Sequence, residues 1–189
     1  MVAWISVALL AASAVAVGVA PRLMVRGYSW EANTISESAA QGVRHAWVAR
    51  AGFAGLGAGA VLVAVECRSA WGIAAFCLIV VFGVLMMATA GASERPWEAG
   101  APYRAKEAQV HSVLAGAAGV AYTVGAGTVA FTDAGAPVWL RALSLVVAVS
   151  GVVLPLAMAR RPQVQGLIQR VMFALAYAWL IAEALHGGG

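Results

Sequence analysis

Residues 46–90 read AWVARAGFAGLGAGAVLVAVECRSAWGIAAFCLIVVFGVLMMATA. This is two apolar runs, 46–66 and 70–90, parted only by Cys67-Arg68-Ser69. Each run is close to the roughly 20 residues that an α-helix needs to cross the hydrocarbon core. A three-residue connection forces the two helices to be antiparallel neighbours. Four further runs of the same kind fall at about 3–22, 110–131, 137–158 and 166–186. In lipid every backbone amide must find a partner inside the protein, and none of these segments shows the alternation of a barrel strand. The fold class expected is all-α: one polytopic domain over 1–189, built as six up-down antiparallel transmembrane helices.

Composition agrees. Of 189 residues 62% are hydrophobic and 11% charged, against roughly 25% charged in a soluble domain. The first run lacks a basic leader, and Pro21 follows the only small-residue cleavage pattern, Val17-Gly18-Val19-Ala20, so it reads as a mature helix. Gly52, Gly55, Gly57 and Gly59 crowd the second helix, and Gly116, Gly119, Gly125 and Gly127 the fourth. Such small residues let membrane helices approach closely, so both are expected to be tightly packed. Cys67 and Cys77 have no C-x-x-C spacing and read as packing residues. No basic run with interleaved aromatics points to nucleic acid. The sequence therefore implies a multi-pass protein of the cell membrane, whose partners are membrane lipids.

Polar residues gather on one side. The connections after helices one, three and five share a membrane face, here the odd face. Ten of the twelve basic residues lie on or near it: Arg22, Arg26, Arg44, Arg50, Arg95, Arg104, Lys106, Arg160, Arg161 and Arg170. So do Glu31, Glu37, Glu94, Glu98, Glu107, His45 and His111. The basic excess predicts that this face is cytoplasmic. Trp30, Trp47 and Trp97 on this face, and Trp4, Trp71 and Trp139 on the other, read as an interfacial belt.

The odd-face segments also resemble a known family. Tyr28-Ser29-Trp30 leads into Thr34-Ile35-Ser36-Glu37, then a helix near Trp47 continues as Gly52-Phe53-Ala54-Gly55. A loop with Ser93-Glu94-Arg95-Pro96 ends at His111-Ser112, and the last helix opens Gly166-Leu167-Ile168-Gln169-Arg170. This order is similar to the membrane proteins grouped as "domain of unknown function 998", over nearly the whole chain. The family usually has Glu where Gln169 stands. The resemblance implies the fold and a polar odd-face cluster, and no reaction.

Ser36, Glu37, His111 and Arg170 come from three odd-face junctions that a bundle can bring together. Ionisable groups at that depth are costly unless paired or facing a cavity. In the functional reading Glu37, His111 and Glu107 supply acid/base catalysis. Ser36, Arg44, Arg170, Trp30 and Trp97 then bind the polar head of an amphipathic small molecule, a lipid or an isoprenoid. Proton-initiated isoprenoid cyclisation is one such reaction. The alternatives are a transporter, or a structural protein in which Glu37 pairs with Arg170 and Ser36 caps a helix. A Ser36–His111–Glu107 triad lacks a nucleophile-elbow signature. Glu183-x-x-His186 is a single copy at a chain end and reads as surface. No metal site and no cofactor are expected.

Overall fold

A computed structural model describes residues 2–24 and 27–187; Arg26 lies outside the described residues. Six helices are long and apolar enough to cross a membrane. They are α1 (Val2–Val19, continued by a 3-10 turn Ala20–Leu23), α3 (Ala46–Glu66), α4 (Arg68–Gly91), α5 (Ala105–Thr132), α6 (Val138–Arg160) and α7 (Gln165–Gly187). The single turn α2 (Ile35–Ser38) lies in the first odd-face loop. No strand occurs among the described residues. The fourth spanning helix starts at Ala105, five residues before the apolar run, because Ala105–Ala108 is a polar helical turn whose Glu107 favours the helix start.

Each spanning helix packs on the next in sequence, and α1 closes the ring against α7, with α3 also touching α7. The span of α3 is the most buried and that of α6 the least. Glycine explains the position of α3. Methyl groups on Gly52, Gly55 and Gly59 would strike Val17, Ser13 and Leu10 of α1, and one on Gly57 would overlap the Gly83 carbonyl of α4. The fourth spanning helix follows the expectation only in part. Gly125 is pressed on Ile79 and Leu78, but a methyl on Gly116 or Gly119 would meet nothing. The odd-face half of α5 borders open space.

The other half of the ring is filled. Gly72 takes φ +73°, a left-handed conformation that suits a residue without Cβ, and it breaks the start of α4 just after Trp71. The freed Trp71 carbonyl accepts from Thr132 Oγ1 at 2.7 Å. The Trp71 ring is fully buried and stacks on Trp179, 5.7 Å between centroids and 11° between planes. Its Nε1–H donates to Glu183 Oε2 at 3.1 Å, while Trp179 Nε1–H donates to Ser144 Oγ at 2.8 Å. Ser144 Oγ lies 3.3 Å from Glu183 Oε1. The node thus joins α4, α6 and α7, and Glu183 is only 1% exposed. Two sequence expectations change here. Trp71 is not a belt residue, and Glu183 is not surface, because the last helix turns that face inward along with Ala176 and Leu180.

Overpacking a tight helix contact costs about 1–3 kcal/mol. Gly57→Val is therefore expected to lower the melting temperature of the detergent-solubilised protein clearly, whereas Gly116→Ala leaves it unchanged. Differential scanning fluorimetry checks both.

Candidate functional site

The open half of the ring holds a cavity of about 150 Å³. Its walls come from α3 (Phe53, Leu56), α4 (Phe82, Met86), α5 (Gly119, Tyr122), α6 (Gly151, Pro155) and α7 (Met172, Phe173). The lining is mostly apolar and rich in aromatic rings, with the hydroxyls of Thr89, Thr123 and Ser150 among them. Pro155 has no N–H to offer the Gly151 carbonyl one turn earlier, so the helical ladder is interrupted at this wall. The inner end is Tyr122, whose ring meets Trp179 edge-on at 5.5 Å and whose hydroxyl has no partner. Ser36 and Gln169 border its odd-face end.

A second, polar cavity of about 380 Å³ is lined by Thr34, Glu37, Glu94, Arg95, Ser112 and Gln165. The two share their supporting elements. Ser112 and Ala115 are one turn apart on α5, Gln165 and Gln169 one turn apart on α7, and Glu37 neighbours Ser36 on α2. The polar cavity, here the mouth, and the apolar cavity, here the shaft, are thus lined by adjacent turns of α2, α5 and α7 and together are called the recess.

Local chemistry shapes the mouth. Thr34 caps α2, and its capping box is complete: Thr34 Oγ1 accepts from Glu37 N, and Glu37 Oε2 accepts from Thr34 N at 2.6 Å. Glu37 thus orders the loop while lining the mouth. Gln41 stitches the first odd-face loop to the second. Its backbone N–H donates to the Glu94 carbonyl, its Nε2 donates to the carbonyls of Ser93 and Arg104, and its Oε1 accepts from Arg104 N.

Behind Glu94 lies His111, 1% exposed. Its Nδ1 is 2.8 Å from the Ala92 carbonyl. A carbonyl only accepts, so Nδ1 carries a proton. Nε2 faces Glu94 Oε2 at 4.0 Å and has no hydrogen-bond partner among the described residues. The buried imidazole nitrogen thus lies beside a half-buried carboxylate.

The other predicted site residues do not join this recess. Arg170 is spent on the loop: Nη1 donates to the carbonyls of Trp30, Asn33 and Gly166 at 2.7, 3.0 and 2.8 Å, and Nη2 donates to Tyr28 Oη at 2.8 Å. Trp30 covers the guanidinium at 4.6 Å, and Trp97 packs edge-on against Tyr28. Burial holds the Tyr28 phenol above its usual range, with Arg170 opposing. It therefore stays protonated and donates to the Thr34 carbonyl at 2.8 Å. The Glu37–Arg170 pair is replaced by these carbonyl contacts. Trp30 and Arg170 border a separate groove between α1 and α7. Glu107 accepts from Ser93 N at 3.0 Å and pairs with Arg104, outside the mouth. Among the described residues, exposed Arg44 makes no side-chain hydrogen bond, and Ser36 and His111 share none.

Sequence reading missed Glu94, Ser112, Gln165 and Tyr122. Glu94 and Ser112 had a signal, since they sit in the two polar segments that flank the second odd-face loop. Tyr122 had none, because an isolated Tyr in an apolar helix looks like packing.

Hydrogen bonds to a charged group contribute about 1.5–3 kcal/mol each, and 1.4 kcal/mol is about tenfold in an equilibrium. Arg170→Lys, which lacks the forked donors, is expected to speed amide exchange of residues 28–38 about tenfold or more. Hydrogen–deuterium exchange with mass spectrometry checks this.

The family model described as "Protein of unknown function (DUF998)" matches residues 3–186. No curated protein and no solved structure matches the chain. Nearly the entire bundle, including every residue of the recess, falls within the matched span, and the chain belongs to the DUF998 family.

Proposed function

We propose that this protein is a membrane-embedded enzyme that acts by acid/base chemistry on the head group of an amphipathic lipid or isoprenoid, entering from one membrane interface. The observation that carries this reading is the stacking of the polar mouth on the apolar shaft, on successive turns of the same elements. An amphiphile fits such a recess with its tail toward Tyr122 and its head between Glu37 and Glu94. Apolar pockets with a few convergent polar groups are the usual form of small-molecule sites.

The Glu94–His111 arrangement supports proton transfer. Glu94, which lines the mouth, takes the proton from a head-group hydroxyl or ammonium and can pass it to the buried His111 Nε2 behind it, whose imidazolium then faces the Glu94 carboxylate. Glu37 faces the same space with one carboxylate oxygen unused by the capping box. Proton-initiated cyclisation needs an acid against the tail. The aromatic shaft suits the cation of such a reaction, but its lining carries no carboxyl, so head-group chemistry is the better-supported form. The Trp71–Trp179 stack beneath Tyr122 argues against a through-going transport path. The basic excess of the odd face supports a mouth open to the cytoplasm of a cell membrane.

Gly119 borders the shaft, and a side chain there meets open space, so Gly119→Phe is expected to fill the shaft and leave the fold intact. Mass spectrometry of lipids carried through purification should find an amphiphile bound to the wild type and largely lost from this variant. In membranes expressing the protein, Glu94→Gln and His111→Ala should each lower turnover of that amphiphile about 10²-fold or more, the usual scale of general acid–base catalysis. A wild type carrying no more lipid than Gly119→Phe would sink the proposal.

A further inference from the structure

Resting on the proposed reading, the donor and acceptor inventory of the mouth goes one step further. We infer that the mouth selects a head group that donates hydrogen bonds and bears no net negative charge, an amine or a hydroxyl.

The hydroxyl protons on its walls are already committed. Thr34 Oγ1 donates to Glu37 Oε2 at 3.1 Å and accepts from Glu37 N. Ser112 Oγ donates to the Ala108 carbonyl at 3.1 Å, with Glu94 Oε2 farther at 3.4 Å. The carboxylates keep acceptor capacity. Glu37 Oε2 takes up the loop donors and leaves Oε1 without a partner. Glu94 Oε1 accepts from Arg95 N at 2.8 Å, while Oε2 has the long Ser112 contact and faces His111 Nε2 at 4.0 Å. The groups left to meet a ligand are two carboxylate oxygens, the Gln165 amide and the Arg95 guanidinium.

Three cations of the odd face are engaged elsewhere. Arg170 holds carbonyls of the first loop and of α7, Arg50 holds the carbonyls of Ala39 and Ala40, and Arg104 pairs with Glu107. Among the described residues lining the mouth, Arg95 is the one cation, set against Glu37 and Glu94. A phosphate or carboxylate head reaching Arg95 would stand beside both carboxylates, with like charges opposed. A hydroxyl or ammonium instead gives its protons to the oxygens that lack them. The same walls thus attract one class of amphiphile and reject the other.

Three twelve-carbon probes separate the cases: dodecylamine, monolaurin and dodecyl phosphate. Each is titrated against the full-length, delipidated protein in a steroid-based detergent, with binding read by native mass spectrometry and thermal shift. Dodecylamine, monolaurin or both should bind at least about tenfold more tightly than dodecyl phosphate, a difference of about 1.4 kcal/mol. Binding by the amine alone assigns an ammonium head, and by monolaurin alone a polyol head. The Glu37→Gln/Glu94→Gln double variant should lose that preference while keeping its melting temperature within a few degrees. Dodecyl phosphate binding equally or more tightly would overturn the inference and leave the amphiphile site standing. If none of the three binds, the inference and the site fall together.

Discussion

The bundle depends on a buried contact between two indoles, a carboxyl and a hydroxyl. Trp71 and Trp179 stack face to face and aim their N–H groups at Glu183 and Ser144, which lie within hydrogen-bond distance of each other. A polar group in the hydrocarbon layer is tolerated when its partners are inside the protein. Here the partners sit on α4, α6 and α7, so satisfying Glu183 draws together helices that are far apart in sequence. The two large rings also fill the ring of helices on that side. The free volume is left in the other half, where α5 carries small residues and α6 has Pro155 and Gly151.

This asymmetry gives the recess a direction. Its inner end is aromatic and closed, its walls are apolar, and its opening is lined by carboxylates, hydroxyls and amides. The odd-face loops are held in place around that opening by side chains that look functional in isolation. Arg170 clamps the first loop to α7, made possible by Gly166, where a methyl would collide with the Asn33 and Trp30 carbonyls. Gln41 joins that loop to the second, and Glu107 fixes Ser93. With these groups committed to the scaffold, Glu37 and Glu94 line the mouth with the His111 imidazole behind Glu94.

The six spans were legible from apolar length alone, and the close packing of α3 from its crowded glycines. The polar face was legible from where the charges fall. Side-chain roles were less so, for physical reasons. The helices are apolar almost all round, since one side meets lipid and the other the interior, so no periodic pattern tells the two apart. Gly116 and Gly119 therefore resemble Gly125 in sequence and differ in surroundings. Trp71 sits at a helix start like a belt tryptophan, and only the backbone break at Gly72 turns it inward. Arg170 read as a head-group ligand or as the partner of Glu37, because most of its actual partners are carbonyls, which every residue carries and no sequence pattern marks.

The most direct test of this arrangement is an experimental structure of the protein purified with its native lipids. Elongated density should run from Tyr122 past Phe82 to Ser36 and end in a polar group between Glu37 and Glu94, with the Trp71–Trp179 stack intact beneath it. A water-filled opening continuing past that stack to the far face would contradict the closed recess. A collapsed shaft, with lipid density only in the groove between α1 and α7, would contradict it equally.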